Sequence, residues 1–353
     1  MKKFLMLIAS IPLIAASCDL GFGSFDLGSG TRGIFKSEDG GDTFFAANRL
    51  APRNDISGLN VNAIAMDPSN GDIIYIGATN GIFKTEDGAR TWRYILSNIT
   101  VSDFAIDPQD TKIIYASGIA GQNGKIIKSL DGGTTWVDMY TEASRNNAVT
   151  TISLHRSSNQ TVLAGLFSGQ LIRSEDAGKT WQATKDLANR IISVRVSANS
   201  TAYALSQTRG LYKSTDAGVT WTAQTEMLIS DVLTNPGQAL SGVTGFWYIG
   251  LDEKQPNVVY LGTDQGLFRS VNDGVTWSFL ALPVKSGSLR VSAVSVNPSN
   301  SNNIFASIGF TVFESLNGGV SWQTKVLPTN ARIRNISINP QSQNIMYLGL
   351  TNQ

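Results

Sequence analysis

The chain is short of the residues on which most enzyme chemistry depends. Its 353 residues include one cysteine and one histidine, only 16% are charged, and the formal net charge is +1. A lone cysteine cannot close an internal disulfide or build a thiolate metal site. The one histidine, His155, follows an apolar strand segment, so no histidine triad and no histidine-rich metal centre is expected. No cofactor is expected either, and only carboxylate or tyrosine chemistry of the glycosidase kind stays open. A balanced charge argues against nucleic acid as a partner. The apolar run Phe4 to Ala16 is 13 residues long, too short for the roughly 20 that cross a bilayer as a helix.

That run has the form of an export signal over residues 1–17: Lys2 and Lys3, the apolar stretch, then the small residues Ala15, Ala16 and Ser17. Cys18 follows directly. The string AASC resembles the lipobox of bacterial lipoproteins, which implies diacylation of Cys18 and a membrane-anchored protein on the periplasmic or cell-surface side. Residues 18–32 include the glycine-rich stretch GFGSFDLGSGTRG and read as a flexible tether.

What the chain has in abundance is repetition. SEDGGDTF from Ser37 recurs as TEDGARTW from Thr85, SLDGGTTW from Ser129, SEDAGKTW from Ser174, STDAGVTW from Ser214, SVNDGVTW from Ser270 and SLNGGVSW from Ser315. The seven starts are 48, 44, 45, 40, 56 and 45 residues apart, a period that signifies a repeat architecture. Each period holds four short strand signals, as in Val61 to Met66, Ile73 to Gly77, Ile82 to Thr85 and Trp92 to Ile95. Four strands per roughly 45 residues is a propeller blade. The fold expected over residues 33–353 is therefore all-β: a seven-bladed β-propeller of four-stranded blades, folded as a monomer. Six blades are complete. For the seventh, Ile333 to Ile338 and Ile345 to Gly349 supply two strands and Gly33 to Phe45 the other two. The ring should thus close by pairing the two ends of the chain, leaving no open sheet edge.

The octet lies between the third and fourth strands, where a Ser or Thr hydroxyl and an Asp carboxylate can bond the turn's own amides and glycine can take positive φ. The terminal aromatic fills the gap between blades: six of the seven tryptophans occupy it, with Phe44 in the remaining copy. These octets are similar to the Asp-boxes of bacterial neuraminidase-type repeats, found in sialidases, xyloglucan hydrolases, sortilin-type receptors and photosystem II stability/assembly factors. The resemblance covers residues 33–353 and implies that the boxes are structural and lie away from the ligand face. Asn272 and Asn317 replace the Asp, and Ala89 a Gly, as a structural turn tolerates.

Attention then moves to the opposite face, made by the links between strands two and three and between blades. Its acids are Asp55, Asp103, Glu142, Asp186, Glu226, Asp231 and Asp264, and nothing in the sequence pairs any two. No Arg-Ile-Pro segment of the sialidase type precedes the boxes, and xyloglucan hydrolases of this kind use a cleft between two propellers, whereas this chain has one. Arginine is more suggestive. Aligning the innermost strands by their apolar pairs places Arg190, Arg290 and Arg332 at one equivalent position in blades four, six and seven. Arg334 lies two residues on, and Arg209 and Arg32 sit in links between strands two and three. Trp247, the one tryptophan outside an octet, matches Arg334. This face suits an acidic or carboxylate-bearing partner. The expectation is a non-catalytic, lipid-anchored scaffold that binds an extracytoplasmic or membrane protein and looks most like the photosystem II assembly factors. The alternatives are a glycoside hydrolase of the Asp-box class, or a glycan-binding module using Trp247.

Overall fold

The structure, a computed structural model, describes residues 31–52, 54–156, 158–224, 243–284 and 290–352. Its regular elements are strands, gathered into seven four-stranded antiparallel sheets and one two-stranded hairpin. The export segment, Cys18 and most of the tether lie outside the described residues, as do Glu226 and Asp231.

Blade one runs Val61–Met66, Ile74–Ala78, Gly81–Thr85 and Arg93–Ser97, from the channel outward. Blades two to six repeat that order, with innermost strands Thr100–Ile106, Val149–His155, Ile191–Val196, Phe246–Leu251 and Ala293–Asn297. Blade seven combines Arg332–Ile338 and Met346–Thr351 with Gly33–Ser37 and Phe45–Ala46. The ring is closed as the sequence suggests: Gly33 pairs with Leu350 and Ser37 with Met346 in one antiparallel register. Lys325 of blade six adds an ion pair across this junction, reaching both Glu314 at 2.9 Å and Asp42.

Second strands are mostly apolar over the stretch that a neighbouring blade covers on each face; Ile74–Ala78 and Ala202–Ser206 are buried at every position. The core is accordingly a set of interblade layers. One joins Tyr75 and Ile82 of blade one to Val101 and Ile114 of blade two, with Trp136 packed against it. Glycine appears where the next innermost strand comes closest: a Cβ on Gly77 would stand 2.4 Å from Val101, and one on Gly165 2.4 Å from Ile191.

Each octet is a closed hydrogen-bond network. In the fourth copy Ser174 Oγ donates to Asp176 Oδ1 at 2.8 Å and accepts from the Gly178 amide at 2.8 Å. The Thr180 amide and hydroxyl then donate to the two carboxylate oxygens at 2.8 and 2.6 Å. Where Asn stands instead the last bond reverses, and Asn272 Nδ2 donates to Thr276 Oγ1 at 2.9 Å. The octets sit beside the turns joining strands one and two, with the Gly88 amide donating to Asp72 O and that of Ala177 to Gln160 O. Both turn types therefore occupy one face. From there the preceding blade grips the octet in several copies: Tyr75 and Lys84 donate to Gly132 O at 3.0 and 3.1 Å, and Tyr115 and Lys128 to Ala177 O at 2.9 and 3.2 Å.

Two local features depart from the sequence reading. The fourth strand starts one residue later than expected, at Arg93 in blade one, because Trp92 is turned into the blade gap and fully buried. A small hairpin, Arg49–Leu50 with Asn54–Asp55, follows blade seven, and its Leu50 bridges to Trp92.

Deleting residues 344–353 removes the partner of Gly33–Ser37 and exposes two strand edges; the truncated chain should unfold or oligomerise, as read by thermal midpoint and light scattering. A second expectation follows from the octets. Hydrogen bonds from the octet threonine hold the carboxyls of Asp39, Asp131 and Asp176 down at about 2, below the ordinary carboxylate value of 3.8. Folded values below unfolded ones mean that their stabilisation is full above pH 4 and drains away as pH falls towards 2. Thermal midpoints taken across that window should fall, and Asp176→Asn should make the fall shallower.

Candidate functional site

The face opposite the octets is shaped by a bulge repeated in the innermost strands. Pairing slips by one residue between Val61 and Ala63, Val149 and Thr151, Ile191 and Ser193, Phe246 and Tyr248, and Ile333 and Asn335. The residues left out are Asn62, Thr150, Ile192, Trp247 and Arg334. A bulge re-aims its side chain and frees the carbonyl before it. Neighbouring bulges use this: Asn62 Nδ2 donates to Val101 O at 2.9 Å, and Thr150 Oγ1 to Ile191 O at 2.6 Å. Ser292 completes the same contact to Ile333 O at 2.7 Å, and Arg334 Nε reaches Asn62 O at 3.1 Å. Trp247 breaks the pattern. Its indole nitrogen is buried without a hydrogen-bond partner, and its ring carries the Arg290 guanidinium 3.3 Å from the centroid.

Arg290 belongs to a group of like charges. Partial burial lowers its pKa to about 10, and the charges of Arg332, Arg334 and Arg190 contribute in that order. Burial also lowers Arg190 and Arg334; the Arg190 charge depresses Arg334 further, and Asp103 offsets part of the effect. Arg190 in turn lies 5.4 Å from the ring of Phe167, which is half exposed. None of the four arginines has a carboxylate within ion-pair distance among the described residues. Arg334 is open to water yet strongly desolvated, the situation of a side chain inside a channel mouth. Four guanidiniums without counter-ions among the described residues, next to two aromatic rings, have the chemistry to bind anionic groups.

The other sequence candidates are placed elsewhere. Arg32 is held by structure, donating to Gly58 O at 2.5 Å and to Asn352. Arg209 lies between the second and third strands of blade four and is not among the charges that act on Arg290. The chain enters this same face at Thr31, whose carbonyl accepts from Thr329 Oγ1 at 2.7 Å. Of the acids, Asp55 caps Ser57, Asp186 bonds the Ala188 amide, Asp264 accepts from Thr244, and Glu142 accepts from Tyr140 and Ser144. Among the described candidates Asp103 alone sits on an innermost strand, and it is paired.

That pair includes the residue the sequence reading missed. Arg195, on the innermost strand of blade four, reaches past blade three to Asp103 of blade two, Nη1 to Oδ2 at 2.7 Å and Nη2 to Oδ1 at 3.3 Å. Burial opposes the Arg195 charge, and the charge and hydrogen bonds of Asp103 more than restore it. Its sequence signal was an arginine between Val194 and Val196 in a strand otherwise read for its apolar pair.

Comparison with known proteins agrees with the fold. The family model described as photosynthesis system II assembly factor YCF48 matches residues 98–242. No curated protein matches by sequence. Among solved structures, the GH74 xyloglucanase of Xanthomonas campestris superposes with a TM-score of 0.67 at 16% identity over 82% of this chain and 51% of that one. The GH74 enzyme of Niastella koreensis gives 0.65 at 20% over 82% and 51%, so the chain spans about half the length of both enzymes. A YCF48 structure bound to D1 peptide gives 0.63 at 15% over 83% of this chain and 93% of that one. The chain is thus an Asp-box seven-bladed propeller that resembles both groups, and identities this low speak for the fold alone.

If the four arginines repel one another, Arg332→Gln, which removes charge but no hydrogen bond among the described residues, should raise stability slightly. The gain, a few tenths of a kcal/mol at about 0.01 M salt, should vanish near 1 M, where the Debye length falls to about 3 Å. Denaturant titration at both salt concentrations measures it.

Proposed function

We propose that the protein is a non-catalytic propeller that binds another extracytoplasmic or membrane protein through the mouth formed by Arg190, Arg290, Arg332, Arg334 and Trp247. The observation that carries this reading is the gathering on one face of four guanidiniums without an ion-pair partner among the described residues, while the octet carboxylates are consumed by their own turns on the other. A segment bearing carboxylates would satisfy the arginines by bidentate bonds, and Phe167 and Trp247 add apolar surface beside them. The likeness to a structure of YCF48 bound to D1 peptide supports a protein ligand.

In this reading Cys18 carries a lipid and the protein is held at a membrane. Twelve residues lie between Cys18 and Thr31, a reach of about 45 Å at full extension. Because the chain enters beside the arginine mouth, an anchor there would hang from the binding side, which favours partners at or in the membrane.

The glycan-hydrolase alternative needs two facing carboxylates about 5–10 Å apart, and the five described candidates are each engaged with different neighbours. Stacking of a sugar on Trp247 competes with Arg290, which covers one face of the indole.

Crosslinking and pull-down from native membranes is the direct test. The Arg190→Ala, Arg290→Ala, Arg332→Ala triple variant should lose its captured partners at least tenfold relative to wild type; an unchanged set would defeat the binding-face reading. In the same preparations Cys18→Ala should lose metabolic lipid label. Turnover of a glycan panel, abolished by mutating one of the acids, would favour the hydrolase instead.

A further inference from the structure

One carboxylate already lies in the channel, deeper than the four arginines and close enough for its charge to act on Arg334. Asp103 accepts both arms of the Arg195 fork in the geometry a ligand carboxylate would take. It is fixed there by Thr151 Oγ1 at 2.8 Å and the Ile152 amide at 3.2 Å, both from the intervening blade. Its side chain is only 13% exposed. Its field also reaches the ring above, where it offsets part of the depression of Arg334. Tyr248, on the next innermost strand, feels both members of the pair.

We propose that Asp103 is an internal competitor for the anionic ligand: by occupying Arg195 it removes a fifth guanidinium from the site and confines ligand carboxylates to the outer ring of four. The inference rests on the mouth being a binding site, and it assigns affinity and depth of entry to a residue that need not touch the ligand. Breaking the pair from either side removes the same structural contact but leaves opposite charges behind. Asp103→Asn frees a cation beside the site. Arg195→Gln frees an anion there.

The test uses the full-length protein in detergent with a fluorescein-labelled oligoglutamate peptide as probe, followed by polarisation across a salt series. Asp103→Asn should bind the probe about tenfold or more tightly, with a steeper salt dependence, and Arg195→Gln should bind it several-fold more weakly. Both should lower the thermal midpoint, since each leaves a desolvated charge unpaired. The Asp103→Asn, Arg195→Gln double variant should return close to wild-type affinity, which keeps the test readable if one single variant folds poorly. A purely structural pair would move both affinities in the same direction or leave both unchanged, and either result overturns the proposal. Wild-type binding that is lost in the triple arginine variant but insensitive to Asp103→Asn removes this inference and leaves the binding face standing. Probe binding by neither wild type nor Asp103→Asn would remove both.

Discussion

The grip of one blade on the next blade's octet is the interaction on which the ring depends. A flat stack of sheets has no intrinsic reason to close at seven, because apolar packing between blades is non-directional. Direction comes from a carbonyl presented by a rigid turn. The Ser or Thr, Asp and Thr side chains close the octet on itself, so that Gly132 O and Ala177 O point at the Tyr and Lys of the blade before. Where that contact recurs, as from Arg173 to Ala217 O, Arg269 to Gly318 O and Tyr347 to Gly88 O, it orients one blade against the next. The sheet ladder of blade seven then converts a set of neighbours into a closed circle.

Placing this network on one face frees the other. Strand starts, bulges and links gather around the opposite end of the channel, where neither turn formation nor blade packing dictates the side chain. The bulge near the start of most innermost strands re-aims one residue there. Asn, Thr and Ser spend that position on a neighbour's carbonyl, whereas Trp247 and the arginines beside it bring rings and positive charge to the mouth. Stability and recognition are thus handled by separate ends of the same strands.

Repetition made the fold legible. Seven octets with a strand signal on either side specify blade number and strand count, and the orphaned first octet, having no inner strands ahead of it, specifies how the ends meet. The small hairpin Arg49–Leu50 with Asn54–Asp55 was not legible, because two-residue strands carry no periodic signal. At the site, aligning innermost strands brought out Arg190, Arg290, Arg332 and Arg334, since equivalent positions in a ring are neighbours around its axis. Arg32 and Arg209 were added from their links between strands two and three, although Arg32 is spent on Gly58 and Asn352.

Sequence by itself determined the number of blades, the structural role of the octets and which end of the disc they occupy, because each of these follows from local hydrogen bonding and short-range period. Tertiary structure decided which charges meet. Asp103 and Arg195 are 92 residues apart and two blades removed, and only the curvature of the closed ring brings a fork from blade four onto a carboxylate of blade two. A linear pattern reports what a strand can do, but contacts across a channel depend on how far the circle has turned.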